Sequence, residues 1–492
     1  MSKLAAGALV FCTSAAVLVL EIMAGRLMAP YVGVSLETFT GIIGVVLAGI
    51  SLGTWLGGVA ADRVEPRAML GPLVVVGGVL ALIAPPFVDI LGGGLRGGGQ
   101  PVIVLLAFVG FFAPAAVLSA VSPTVVKIQL ADLHETGSVV GRLSALGTAG
   151  AIFGTFATGF VLVAALPSRP ILLVLGAALV LIGIVLTAGL RRPRTPVALG
   201  PAALMALVAI AAPVSISLVA PNPCDEETAY FCVRVEHDAE RTTGRLLILD
   251  TLRHSYVDLA DATHLEFPYA QTISDVIERS FPEGVPLDTL HIGGGGFTMP
   301  RYLAATRPDS TNVVLELDAG LVDIARRELG LRDAPGLDIR TGDARMTLRG
   351  TPPGAFDLVI GDAFGGPSVP WHLTTREFVE QIHDRLRPGG VYVMNLIDYP
   401  PLDFARAEAA TLIAVFAHVS VLAPPERLVN AAGGNFILVG SDAPIPIDAI
   451  LARNAARGDD ESALTDGAAR AFAQGARVLT DDFAPVDQLI TQ

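Results

Sequence analysis

Through its first 220 positions the chain runs in long apolar stretches broken by short polar ones. About 20 mostly apolar residues are needed for a helix to cross a bilayer. Seven runs reach that length: 4–29, 38–61, 68–92, 101–126, 139–166, 170–190 and 197–220. Breaks such as Asp62-Arg63-Val64-Glu65-Pro66-Arg67 and Arg191-Arg192-Pro193-Arg194 separate them. The first run has no small-residue cleavage site behind it and is followed by others, so it reads as a retained membrane helix, not a signal peptide. Gly147, Gly150, Gly154 and Gly159 in the fifth run predict close helix–helix approach.

Past residue 220 the pattern changes. Short strand-like runs alternate with helical ones, which predicts a mostly parallel α/β sheet. The strands are read at Leu287–Ile292, Val313–Asp318, Leu337–Thr341, Phe356–Ile360, Val391–Leu396 and Phe436–Val439. Helices are read at Met299–Ala305, Leu321–Leu329 and around Thr375–Leu386. The expected fold is a multi-pass α-helical membrane domain followed by an α/β Rossmann-like (class I methyltransferase-like) domain. Its expected parts are a transmembrane domain over 1–220, a small β-rich part over 221–285 and the Rossmann-like domain over 286–492.

Charge sharpens this division. Residues 1–220 hold 11 Lys and Arg against 7 Asp and Glu, and the remainder holds 22 against 40. Nucleic acid is excluded as a partner of so acidic a half, because phosphate contacts need clustered Lys and Arg. With seven spans, eight Lys and Arg fall on the side of the N-terminus and three (Arg26, Arg96, Arg169) on the other. The positive-inside rule then predicts a cell-membrane protein with a cytoplasmic N-terminus and an extracytoplasmic C-terminal domain. Gly57-Gly58-Val59-Ala60-Ala61-Asp62-Arg63 resembles the loop 2–3 signature of major-facilitator transporters, a cytoplasmic loop in that family, and points the same way. None of the three cysteines shows metal-ligand spacing. Cys12 is expected to be a small buried residue; Cys224 and Cys232 either pair in an oxidising compartment or stay as thiols beside a strand. Glu21, inside the first run, is either functional, or else paired with Arg26 near the helix end or capping a neighbouring helix.

In parallel α/β sheets ligands bind beyond the carboxyl ends of the strands. Gly293-Gly294-Gly295-Gly296 follows the first strand, where a glycine turn lets a cofactor approach the backbone. Glu316, 23 positions after Gly293, can take both hydroxyls of a ribose, with Asp318 as the competing choice. Asp343 is placed to accept from an adenine amino group, and Asp362 stands beside the reactive end. Gly-Gly-Gly-Gly-Phe is not the dinucleotide pattern, since position 298 is Thr, and no phosphate-binding lysine accompanies it. A nucleoside cofactor without a pyrophosphate fits better than NAD.

The run from Gly244 to about Gly440 resembles the spermidine synthases, the polyamine aminopropyltransferases. The whole chain resembles bacterial fusions of a transporter-like membrane domain with such a domain. The resemblance is carried by Ile292-Gly-Gly-Gly295, Leu315-Glu316-Leu317-Asp318, Gly342-Asp343-Ala344 and Asp357-Leu-Val-Ile-Gly-Asp362. Leu249-Asp250-Thr-Leu-Arg-His254 matches the family's strand ending in a cofactor-contacting Gln, and Tyr269 the Tyr of its Tyr-His-Glu motif. The resemblance implies aminopropyl transfer from decarboxylated S-adenosylmethionine to a small-molecule amine such as putrescine. It implies Asp362 as general base, with His254, Gly293, Gly294, Gly295, Glu316, Asp343 and Ala344 on the cofactor. The sulfonium is already activated, so no metal is expected. The remaining expected partner is the lipid bilayer, with homo-oligomers allowed.

Four positions depart from the family. Its Asp after the glycine run is Gly296, and its Asp three residues past the catalytic one is Gly365. The His of Tyr-His-Glu is Ala270, and the Gln is His254. Tyr269, Gly296 and Gly365 are therefore the positions where the acceptor is expected to be read. Losing two carboxylates weakens diamine binding by several kcal/mol, at about 1.5–3 kcal/mol per charged hydrogen bond. His372 reads as a loop or helix-start residue rather than a proton carrier, and Thr480–Pro485 as a turn rather than a flap. Two other functions fit the same residues: an S-adenosylmethionine-dependent transferase with a non-polyamine acceptor, and a non-catalytic transporter or sensor gated by a bound ligand.

Overall fold

The computed structural model describes residues 1–96, 99–130, 135–190, 210–211, 214–215 and 222–490. The chain divides into two compact units, Met1–Val233 and Arg234–Gln492.

Six helices of the first unit are long and apolar enough to cross a membrane: α1 (Lys3–Val32), α2 (Leu36–Arg63), α3 (Pro66–Gly94), α4 (Gly99–Gln129), α5 (Thr136–Ala165) and α6 (Ser168–Leu190). They match the first six expected runs; the seventh, 197–220, lies almost wholly outside the described residues. Local signals start these helices. The Ser2 and Ser35 hydroxyls accept from the N–H groups of Ala5 and Thr38, and Pro66 sits at the first position of α3. Gly150 and Gly154 of α5 abut the α1 backbone at Phe11 and Ala15, while Gly159 faces open space.

Two expectations for this unit need correction. Cys12 is exposed, not buried. A helix apolar on all sides reveals nothing about which face meets its neighbours, so apolar surroundings are no guide to burial. Arg26 does not pair with Glu21. It donates to the carbonyls of Thr228 (2.6 Å) and Ala229 (2.7 Å) and to Ser168 Oγ (3.3 Å), with Glu227 at 3.6 Å. Glu227 also accepts from the Ser168 N–H and hydroxyl. These contacts seat a short hairpin, β1 (Glu226–Glu227) with the start of β2 (Cys232–His237), on the end of the bundle where α6 begins. A disulfide between Cys224 and Cys232 closes that hairpin.

The second unit carries β2, β3 (Gly244–Leu249) and β4 (Leu252–Asp258) in a small sheet, then an eight-stranded sheet. The large sheet comprises β5 (Asp288–Ile292), β6 (Thr311–Glu316), β7 (Leu337–Thr341), β8 (Phe356–Gly361), β9 (Leu386–Asp398), β10 (His418–Ala423), β11 (Gly434–Ser441) and β12 (Ser462–Thr465). Its order is β12-β10-β11-β9-β8-β5-β6-β7. The five strands from β9 to β7 are parallel and the other three antiparallel. The central strands are largely apolar on both faces, as a sheet covered by helices on both sides requires, apart from the buried Thr289 and His291 of β5, which bond to Asn312 of β6. On one face Ile273, Val276 and Ile277 of α7 (Pro268–Ser280) pack with Leu358, Val393 and Val439. On the other Phe378, Phe404 and Leu412 pack with Leu290, Val359 and Leu396.

The chain leaves β5 toward β6 and β7, then returns to the opposite side of β5 as β8. The direction therefore switches between β5 and β8, and a crevice opens beyond their carboxyl ends.

Candidate active site

Register sets which residues meet at that crevice. Ile292 pairs with Gly361 and with Leu315, Glu316 with Thr341, and Gly361 with Met394. Gly293, Glu316, Gly342, Asp362 and Asn395 consequently stand at one edge of the sheet. The structure thus brings together the four strand ends singled out in the sequence.

The glycine turn is cramped where it meets β8. Gly293 has φ +93°, and a Cβ there would collide with the Asp362 carbonyl oxygen. Below the turn lies Glu316, 6% exposed. One of its oxygens accepts from the N–H groups of Gly294 (2.7 Å) and Gly295 (3.3 Å), the other from Asp318 N–H (2.9 Å). Burial pushes its pKa upward and these backbone donors oppose the rise. The carboxylate therefore braces the loop as well as facing the crevice. Asp318 caps the helix after β6 by accepting from Gly320 N–H.

Asp343 caps the short helix beginning at Ala344 by accepting from Met346 N–H at 2.9 Å. Its other oxygen lies 2.7 Å from His372 Nε2. His372, read from sequence as a plain loop residue, thus belongs to this edge of the site; 29 positions separate the two, and no local pattern joins them. Thr480 and Phe483 close a turn, as expected, and Asp481 takes a two-pronged bond from Arg345 (2.7 and 2.6 Å).

Asp362 is partly exposed at the floor of a cavity of about 220 Å³, lined also by Arg253, His254, Phe267, Tyr269, Phe364, Asn395 and Asn435. Asn395 Nδ2 donates to Asp362 Oδ1 at 2.8 Å, and Asn435 Nδ2 donates to Asn395 Oδ1 at 2.9 Å. Tyr269, at the first turn of α7, donates its hydroxyl to the His254 carbonyl at 3.4 Å and lies beside Asp362, whose charge it also steadies. Burial pushes Asp362 up to about 6, against the pull of these two donors. The same burial, with the Asp362 charge beside it, holds the Tyr269 hydroxyl well above its usual range. Burial drives His254 down to about 4, so its ring is neutral near pH 7. Sequence reading missed Asn395. Its signal was available: one amide inside the apolar strand Val391-Tyr-Val-Met-Asn-Leu-Ile397.

The acceptor-side departures differ sterically. Gly296 donates its N–H to Ser255 Oγ at 3.0 Å, and a Cβ on it would lie 2.7 Å from Ser255 Cβ. Gly365 has room: a Cβ there would meet only Pro370 Cγ at 3.7 Å. Ala270, in the first turn of α7, is buried.

A mostly parallel sheet with a glycine turn and a row of carboxylates at its switch point defines a Rossmann-like, methyltransferase-like α/β domain. No family model matches the chain. It is 29% identical over 243 residues to a polyamine aminopropyltransferase of Vibrio vulnificus, covering 45% of this chain and 75% of that protein. It is 30% identical over 210 residues to polyamine aminopropyltransferase 2 of Pseudomonas aeruginosa, covering 39% and 59%. Among solved structures, a probable spermidine synthase from Corynebacterium glutamicum is 34% identical, covering 53% of this chain and 97% of that one, at a TM-score of 0.49. The C-terminal half is a spermidine-synthase-like domain, similar to the polyamine aminopropyltransferases.

Proposed function

We propose that this domain transfers an aminopropyl group from decarboxylated S-adenosylmethionine to an amine, and that the apolar helices anchor it in a membrane. The observation that carries the reading is Asp362: a carboxylate with a raised pKa, held by Asn395 and Tyr269 directly against the glycine turn. The crevice suits an adenosyl group, since the turn leaves no room for a Cβ at Gly293 and Glu316 lies beneath it. Glu316 and Asp343 would hold ribose and adenine.

A bound sulfonium donor supplies an activated carbon and a neutral thioether leaving group. The chain has to deliver an uncharged amine to that carbon. An ammonium cannot attack; it must first lose a proton, and Asp362 is the group in reach to take it. A base near pKa 6 is mostly ionised at pH 7 yet still accepts a proton. Asn395 fixes the direction of its Oδ1, and Tyr269 lies beside it. As the new N–C bond forms the C–S bond breaks, the thioether leaves and the proton stays on Asp362. A second reading, S-adenosylmethionine-dependent transfer to a different acceptor, is favoured by Ser255 filling the space an acid at position 296 would need.

The orientation with this domain outside the cytoplasm is supported by three observations. Lys and Arg are concentrated on the side of the N-terminus. The Glu227 hairpin sits at the Ser168 end of α6, the end remote from Leu190 and from the start of α1. Cys224 and Cys232 are bonded. Full-length protein given decarboxylated S-adenosylmethionine and a panel of amines should release methylthioadenosine, and Asp362→Asn should abolish the release. Release unaffected by that substitution, or none with any amine, overturns the reading.

A further inference from the structure

We propose that the cavity in front of Asp362 is built for a zwitterion, with Asp362 receiving an ammonium and Arg253 a carboxylate. This rests on the amine-transfer reading above and narrows its substrate class. Among the described residues lining the cavity, Asp362 is the one acid and Arg253 the one permanent cation. The His254 ring contributes no charge near pH 7. Arg253 lies over the Phe267 ring, its guanidinium 5.6 Å from the ring centre. It makes no ion pair or hydrogen bond among the described residues. An arginine stacked on an aromatic face keeps its fork of donors free, and that fork matches a carboxylate.

Charge matching decides the ligand class. A diamine brings two ammonium groups to a cavity that offers one carboxylate and already holds one cation. Like charges brought together in one recess repel. An amine that also bears a carboxylate satisfies both ends. Side-chain packing reinforces the point, because Ser255 occupies the place of an acidic side chain at Gly296. The carboxylate has two sources of identical chemistry. It belongs either to the acceptor, as in an ω-amino acid, or to the donor, since S-adenosylmethionine retains the carboxylate its decarboxylated form lacks.

The test is calorimetry on the full chain in detergent, comparing wild type, Arg253→Gln and Arg253→Lys. One arm compares S-adenosylmethionine with its decarboxylated form. The other compares 4-aminobutanoate, butylamine and putrescine, with and without methylthioadenosine. In at least one arm the carboxylate-bearing ligand should bind wild type about ten- to hundred-fold tighter than its partner lacking it. Arg253→Gln should erase that preference without weakening the uncharged-end ligand, and Arg253→Lys should restore part of it. Preference in the first arm assigns the carboxylate to the donor, which keeps transfer to an amine but replaces the decarboxylated donor by S-adenosylmethionine; preference in the second assigns it to the acceptor. Wild type binding putrescine most tightly, or a preference that survives Arg253→Gln, overturns the proposal. Failure of the amine-transfer reading looks different: neither adenosyl compound binds, or Asp362→Asn leaves turnover intact.

Discussion

Replacing Asp362 by Asn should stabilise the soluble domain while removing its activity. The side chain is isosteric. Its oxygen can still accept from Asn395, and its amide can donate to the Tyr269 hydroxyl, so no buried group loses a partner. What changes is the charge. The carboxyl is raised from 3.8 to about 6, roughly two units. At 1.36 kcal/mol per unit this is about 3 kcal/mol, reduced to about 1–2 kcal/mol because cavity water reaches the group. The sign follows from linkage. A folded pKa above the unfolded one means that folding binds a proton. The favourable contribution is complete below about pH 4 and is lost as pH rises through 6. The wild type therefore carries the full penalty at pH 8, and Asp362→Asn carries none. Urea unfolding of both proteins in detergent, read by hydrogen exchange of β5, β8 and β9 amides at pH 4.5, 6 and 8, isolates the domain. The Asn variant should gain about 1–2 kcal/mol at pH 8, and the gain should shrink toward zero at pH 4.5. Asp398, also pushed up to about 6 by burial, is common to both proteins and cancels. Catalysis should run oppositely, rising with pH through about 6 as the base ionises. An Asn variant less stable than wild type at pH 8, or a difference that ignores pH, refutes the argument.

Other consequences are as direct. Gly293→Ala forces a Cβ onto the Asp362 carbonyl at φ +93°, and should cost about 2–4 kcal/mol of thermal stability and abolish nucleoside binding by calorimetry. Gly365→Asp has room and should improve kcat/KM for putrescine about ten-fold, whereas Gly296→Asp should lower the melting temperature because Ser255 blocks it. Asp275→Asn removes charge from a fully buried carboxylate that accepts from Arg453 and Arg457, and should destabilise the domain by about 3 kcal/mol in urea. In intact cells a membrane-impermeant maleimide should label Cys224 and Cys232 only after reduction; labelling that needs permeabilised cells refutes the outward orientation.

The parallel strands were legible because each ends in a chemical signal as well as a pattern. Ile292 stops at glycines, Leu315 at Glu316, Thr341 at Gly342-Asp343, and Ile360 at Gly361-Asp362. Hydrophobic runs bounded by such residues define both the strand and the edge it presents. The antiparallel strands are less so: Phe436–Val439 marks only part of β11, and no comparable apolar run marks β10 or β12. Their residues alternate or fall short of a run, and only pairing with β9 and β11 makes them strands. In the apolar half, length revealed helices but not faces. Cys12 and Met23 sit in the same stretch of α1, one exposed and one buried, and hydropathy treats them alike.

The site divides along the same physical line. What the backbone of one strand carries can be read from one stretch of sequence; what two distant stretches make together cannot. Asp362 and Gly293 were found because each closes its own strand. The His372 contact with Asp343 depends on a loop 29 positions downstream folding back. Arg253 reaches the cavity from the small sheet, while Asn395 and Asn435 reach it from neighbouring strands of the large one. Arg253, Asn395 and Asn435 line this cavity together with Asp362. Reaction type is written into strand ends, where backbone geometry demands particular residues. Acceptor choice is written into side chains that meet only after folding, and their charges (one anion, one cation, one neutral ring) carry the case for a zwitterionic ligand.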